Sequence, residues 1–131
     1  GEVGVMQVER CDAGAASPFL REVPGRCEVL QWHGAEVQRL PPGGQALMRS
    51  PRCAVQAMSV GPRAFSMQFH VEITAHTVPE WRAIPAYASA LAQSLGPDGA
   101  RTLEQDARER LPAFNALARQ IYGNWRAACG L

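Results

Sequence analysis

The sequence lacks three features, and each absence argues against one class of protein: a membrane-spanning protein, a protein that binds nucleic acid or a membrane surface, and a protein with a signal peptide. None of its 131 residues belongs to an apolar run as long as a bilayer span, so no membrane crossing is predicted. The formal net charge is only +1 and charged residues make up 19% of the chain, which predicts no binding to nucleic acid or to a membrane surface. The first residues show no charged-then-apolar signal pattern. We therefore expect a cytoplasmic protein, with a single domain large enough for a core.

The four cysteines are dispersed along the chain. The four residues Cys11, Cys27, Cys53 and Cys129 form no CxxC pair and no sequence cluster with histidine. This spacing predicts neither a zinc site nor a small disulfide scaffold. We interpret them as mostly free, reduced thiols.

One stretch, Ala64 to Thr74, alternates in polarity without interruption. Side chains of a strand alternate between its two faces, so this stretch predicts a strand with His70 and Glu72 on the same face. Their Cα atoms would lie roughly 6.5–7 Å apart. A carboxylate at that distance fixes the tautomer of an imidazole and favours imidazolium, as a catalytic base requires. An amphipathic strand with a surface ion pair has the same pattern.

Two segments carry a resemblance to a known family. Gln68-Phe69-His70-Val71-Glu72 resembles the Gln-Phe-His-Pro-Glu signature of class I glutamine amidotransferases, with Val71 in place of Pro. Val29 to Glu36, followed by Leu40-Pro41-Pro42-Gly43, resembles the His-Gly-Asp and Leu-Pro segments of GMP synthase-type glutaminase domains. Here Ala35-Glu36 replaces the usual Asp.

The resemblance implies a reaction and its site. His70 and Glu72 would complete a Cys-His-Glu triad that hydrolyses the side-chain amide of glutamine to glutamate and ammonia. Trp32, Gly34 and Ala35 would line the pocket for the substrate glutamine, and an ammonia-accepting synthetase would be a partner. No metal or organic cofactor is expected for this chemistry.

The resemblance also implies the fold class, which is α/β, a class I glutamine amidotransferase-like (flavodoxin-like) domain. This chain would supply its later strands and C-terminal helices, as a single and incomplete domain over 1–131. Residues 1–76 would be mainly strands carrying the active-site His and Glu, and 77–131 would be the C-terminal helices.

The nucleophile of the triad is not recognisable. No Gly-x-Cys-x-Gly elbow occurs, and Cys27 and Cys53 both precede strand patterns rather than helices. We predict that the chain alone is inactive. Two alternatives stay open, namely a non-catalytic partner-binding module derived from the same domain and a relative of γ-glutamyl hydrolase.

The predicted secondary structure follows from periodicity and turn residues. Strands are predicted at Val3–Glu9 and Cys27–His33, and Gly61-Pro62-Arg63 connects Ala54–Val60 with Ala64–His70 as a hairpin. The first strand begins abruptly, as a strand does in mid-sheet, so an unpaired sheet edge and self-association through it are expected.

Helices are predicted after residue 76. Thr77 and Glu80 form a capping box that opens a helix ending at Gly96-Pro97, with Pro85 kinking it or delaying its regular part. A second helix follows Asp98, and Pro112 starts a third whose apolar stripe includes Phe114, Leu117, Ala118, Ile121, Tyr122 and Trp125.

Overall fold

A computed structural model describes residues 1–131 and contains one five-stranded sheet. Its strands are β1 Glu2–Arg10, β2 Arg26–His33, β3 Gly44–Ser50, β4 Cys53–Val60 and β5 Ala64–Met67. They lie in the order β2-β1-β3-β4-β5, and every neighbouring pair is antiparallel. The predicted hairpin between β4 and β5 is confirmed.

The helices complete the α/β architecture. They are α1 Asp12–Ala15, α2 Thr77–Arg82, α3 Pro85–Leu95 and α4 Gly99–Ala128, with a 3-10 turn at Pro18–Leu20. None of them combines the length and the apolar character that a membrane crossing needs. The long helix α4 packs on the apolar face of the sheet, and its residues Leu103, Phe114 and Leu117 belong to the buried core.

The sheet curls so that the chain beyond β5 returns to β2. His70 forms an isolated antiparallel bridge with Leu30, in which each backbone N–H donates to the other residue's carbonyl oxygen, at 3.0 and 2.8 Å. Part of the predicted unpaired edge is present: β1 lies between β2 and β3, but β3 pairs only with Glu9 and Arg10, so the rest of β1 has no partner strand on that side. Self-association through this edge stays a prediction.

The predicted strand over Ala64–Thr74 is wrong in its length. Regular pairing with β4 ends at Met67, and the backbone N–H of Gln68 makes the last such bond, to Gln56 O at 2.8 Å. The chain then changes its partner from β4 to β2. The predicted alternation of faces nevertheless persists, since Phe69, Val71 and Ile73 are all buried.

The predicted capping box is also wrong. The Thr77 hydroxyl accepts a hydrogen bond from Thr74 N at 2.9 Å, and Glu80 N donates to His76 O. The helix predicted from Thr77 to Gly96 is two helices. Ile84 between them is extended, because the residue before a proline is disfavoured in the helical region.

The last two predicted helices are one helix. α4 runs through Pro112 without a break, and buried residues on both sides of the proline hold it against the core. Asp98 occupies the N-cap position, but its side chain makes no capping hydrogen bond. Tyr122, predicted in the apolar stripe, is 60% exposed.

Alanine substitutions at two glycines test how α1 packs against the sheet. A Cβ built on Gly14 would collide with the carbonyl oxygen of Leu47 and lie 2.7 Å from Cγ of Arg10, whereas one on Gly123 in α4 meets nothing within 4 Å. We expect Gly14→Ala to lower the free energy of unfolding by roughly 1–3 kcal/mol. Gly123→Ala, the control, should raise it by roughly 0.5–1 kcal/mol. Denaturant unfolding measures both, and a Gly14→Ala variant as stable as wild type would contradict this packing.

Candidate active site

The two residues of the predicted dyad meet. His70 Nδ1 lies 2.7 Å from Glu72 Oε1, and the second carboxylate oxygen of Glu72 accepts a hydrogen bond from Val71 N at 2.9 Å. Because the carboxylate can only accept, Nδ1 carries the proton of this hydrogen bond. In the neutral imidazole, the lone pair is then on Nε2, which has no hydrogen-bond partner within the chain.

The Glu72 carboxylate is stabilised in its charged form. Burial raises its pKa, but the hydrogen bond with His70 and those from the backbone outweigh this effect and leave the pKa below the ordinary 4.5. The side chains of His70 and Glu72 are 28% and 54% exposed. The carboxylate of the dyad is therefore charged, and both side chains are partly open to solvent.

The segment that carries the dyad is not part of a regular strand, and two contacts hold its backbone. The Leu30 bridge holds His70 on one side. On the other, Asn115 Nδ2 on α4 donates to the carbonyl oxygens of Val71 and Ile73, at 3.2 and 2.9 Å. These bonds fasten the residues on either side of Glu72 to the longest helix of the molecule.

An aromatic cluster, consisting of Trp32, Trp81 and Tyr87, borders the dyad. The Trp81 ring meets the His70 ring edge to face, with centroids 4.8 Å apart and an interplanar angle of 74°. Trp81 also packs against Trp32 at 5.6 Å and Tyr87 at 6.1 Å. Sequence reasoning placed Trp81 only in an apolar helix stripe and missed Tyr87. Both residues lie on the first helices that follow the dyad in sequence, and this position could have indicated that they border it.

The predicted pocket residues lie at the end of β2. Trp32 is 7% exposed and reaches the dyad through Trp81. Gly34 and Ala35 are exposed just beyond the strand and make no hydrogen bond to the dyad. A Cβ added to Gly34 would meet no atom within 4 Å, so open space lies beside its backbone.

All four cysteines are free, in keeping with the prediction that they are mostly free thiols. None of their thiols is hydrogen-bonded to His70. Burial raises the pKa of Cys27 to about 11, and it is the largest cause of the raised pKa of both Cys11 and Cys53. These three thiols are consequently disfavoured as thiolate nucleophiles.

A second polar cluster was missed by sequence reasoning. His33 Nε2 lies 3.1 Å from Glu2 Oε2, and Ser50 and Gln56 donate to the same carboxylate at 2.9 and 2.6 Å. Of these four residues, the sequence analysis names only His33, as the last residue of a predicted strand. The residues are far apart in sequence, and no local motif joins them.

Comparison with known proteins shows which proteins this chain resembles. No protein-family profile matches the chain. A GMP synthase (glutamine-hydrolysing) of Rhodopseudomonas palustris is 28% identical over 131 residues, which is 99% of this chain and 23% of that protein. A subunit of the GMP synthase (glutamine-hydrolysing) of Thermococcus kodakarensis is 35% identical over 77 residues, covering 58% of this chain and 39% of that subunit.

Solved structures agree with these relatives. A glutamine amidotransferase of Thermotoga maritima matches 95% of this chain and 50% of its own, with a TM-score of 0.76 and 28% identity. A glutamine amidotransferase of Methylobacillus flagellatus has the same fold, with a TM-score of 0.77 at 24% identity. These similarities support a class I glutamine amidotransferase domain, of which this chain is a part. The chain spans about half the length of these solved structures.

The fastening by Asn115 can be tested against a matched residue on the same helix. Asn124 Nδ2 donates in the same manner to the carbonyls of Phe19 and Arg21. We expect Asn115→Ala and Asn124→Ala each to cost roughly 1–3 kcal/mol of unfolding free energy, because both leave carbonyl groups unpaired. Only Asn115→Ala should shift the ring resonances of His70 in NMR spectra. Equal shifts in both variants would refute a local role for Asn115.

The hydrogen bond between His70 and Glu72 predicts a pH dependence with a definite sign. Because the pKa of Glu72 is lowered on folding, its contribution to stability is present above pH 4.5 and is lost as the pH falls through the lowered value. Wild type should exceed Glu72→Gln in unfolding free energy by up to about 1 kcal/mol at neutral pH, given the exposure of the pair. The difference should vanish in strong acid. Glu80→Gln, at an exposed site on α2, is the control, and a difference independent of pH would disprove this assignment.

Proposed function

We propose that this chain supplies the base and the orienting carboxylate of a glutamine-hydrolysing active site. The observation that carries the proposal is the 2.7 Å contact between His70 Nδ1 and Glu72, which leaves Nε2 as the free, basic nitrogen. A carboxylate bound in this way keeps the imidazole in one tautomer and stabilises the imidazolium that forms during proton transfer.

The reaction would proceed in two stages. A cysteine thiol gives its proton to His70 Nε2, and its sulfur attacks the amide carbon of glutamine. His70 returns the proton to the departing nitrogen as ammonia, which leaves a thioester. Water then attacks the thioester with His70 again as base, releasing glutamate and restoring the thiol. Glu72 keeps its negative charge throughout and needs no proton of its own.

Substrate binding would fall to the end of β2. We propose that Trp32 forms a wall of the glutamine pocket and that the backbone at Gly34 and Ala35 approaches the substrate closely. The open space beside Gly34 supports this, because a side chain there would occupy it. Relatives of this chain are GMP synthases, which supports a synthetase as acceptor of the ammonia. Free cysteines are in keeping with a reducing, cytoplasmic location.

The nucleophile would come from outside these residues. The chain has no Gly-x-Cys-x-Gly elbow, and three of its four thiols have a raised pKa. The same observation favours a second candidate function, a non-catalytic module that binds a partner. The two differ in whether the dyad of this chain can sustain turnover when a nucleophile is present.

A segment exchange measures this directly. Residues 26–82, from β2 to α2, replace their counterpart in the Thermococcus kodakarensis relative, and ammonia release from glutamine is assayed with and without the parent enzyme's remaining subunits. We expect turnover in the exchange protein and its loss in His70→Ala. Glu72→Gln should lower kcat by one to several orders of magnitude with little change in KM, because the lost interaction acts mainly in the transition state.

Two controls separate folding from chemistry. Glu80→Gln in the same exchange protein alters an exposed carboxylate outside the dyad and should leave kcat unchanged. The unmodified 131-residue chain should release no ammonia. An exchange protein that unfolds cooperatively at the parent's midpoint but lacks turnover would favour the partner-binding module, as would turnover that survives His70→Ala.

A further inference from the structure

A second site lies where β1 and β4 begin and β2 ends. These three strand ends bring together Glu2, His33 and Cys53, whose carboxylate oxygen, imidazole nitrogen and sulfur all lie within 4.8 Å of one another. Glu2 and Cys53 are 3% and 2% exposed, and the His33 side chain is 10% exposed. Oxygen, nitrogen and sulfur donors therefore converge at a place almost closed to solvent.

The hydrogen bonds of His33 indicate whether its ring can accept a metal ion. Its Nδ1 lies 2.7 Å from the carbonyl oxygen of Ala35, which can only accept, so Nδ1 carries a proton. In the neutral ring, Nε2 then presents a lone pair, yet it lies 3.1 Å from Glu2 Oε2, another acceptor. A proton shared between these two atoms satisfies this contact, and so does a metal ion bound to both.

Neighbouring groups hold the ligands in position. Ser50 Oγ donates to Glu2 Oε1 at 2.9 Å, and Gln56 Nε2 donates to Glu2 Oε2 at 2.6 Å. Fixed orientations of this kind are typical of the residues behind metal ligands. The other end of the Gln56 amide, Oε1, is fully buried and has no hydrogen-bond partner. An orphaned amide oxygen in this cluster adds negative potential that a cation would satisfy.

The local charge is negative as well. Apart from His33, no basic side chain forms an ion pair with Glu2 or with Glu36. A divalent cation would offset this negative charge and stabilise the Cys53 thiolate.

We propose that Glu2, His33 and Cys53 form a binding site for a divalent transition-metal ion, with zinc as the best match. Zinc accepts thiolate, imidazole and carboxylate together in four-coordinate sites, whereas calcium and magnesium prefer oxygen ligands only. Binding would release the thiol proton of Cys53 and break its 3.4 Å contact with Val55 O. The ion would tie the end of β2, just before Gly34 and Ala35, to the first residues of β1 and β4.

The test uses the 131-residue chain without a histidine tag, titrated with zinc in a calorimeter and analysed for bound metal after dialysis. We expect one zinc ion per chain and a thermal midpoint that rises with zinc concentration. Cys53→Ser and His33→Gln should each weaken binding at least tenfold. The matched control Cys27→Ser changes a thiol elsewhere and should bind zinc like wild type.

Cobalt distinguishes the ligands independently of these variants. A chain in which Cys11, Cys27 and Cys129 are all replaced by serine should still show the visible absorption of a cobalt–thiolate bond, since Cys53 remains. Absence of stoichiometric zinc in the wild type, or of cobalt–thiolate absorption in the triple variant, would overturn the proposal. So would unchanged affinity in Cys53→Ser. The proposal is independent of the His70–Glu72 dyad, which shares no residue with this cluster.

Discussion

The backbone bridge between Leu30 and His70 is the constraint on which the arrangement of the site depends. Both of its hydrogen bonds have ordinary lengths, 3.0 and 2.8 Å, and Leu30 is fully buried, so water does not compete at that residue. A bond of this kind contributes only about 0.5–1.5 kcal/mol net, and its importance is positional. It draws the chain away from β4 and across to β2, which closes the curled sheet and brings the dyad beside the strand that ends in Trp32 and His33.

Once that bridge is made, three different interactions determine where the His70 ring lies. Its backbone is paired with β2, its Nδ1 is bonded to Glu72, and its ring is packed against the edge of Trp81. Asn115 fastens the same segment to α4 from the opposite side. An irregular segment can thus hold a side chain in a fixed position, because rigid elements on both sides support it.

Structural features that depend on the local sequence pattern were predicted correctly. Features that depend on contacts with residues distant in sequence were not. Alternation from Ala64 to Thr74 correctly assigned Phe69, Val71 and Ile73 to the buried face and brought His70 to Glu72. The end of β5 at Met67 was unpredictable, because it is caused by the change of partner strand. Likewise, the hydroxyl of Thr77 is engaged by Thr74 rather than by its own helix, and tertiary packing carries α4 through Pro112.

The last two residues of β2 connect the two polar clusters, since successive side chains of a strand point to opposite faces. Trp32 packs into the aromatic cluster beside the dyad, and His33 turns to Glu2. Any change in the protonation or ligation of His33 therefore acts on a backbone that also positions Trp32. His33 additionally bonds the carbonyl of Ala35, so the loop that follows β2 is fastened through the same ring. The buried cluster and the accessible dyad thus share a strand end, and the geometry of the proposed glutamine pocket depends on both.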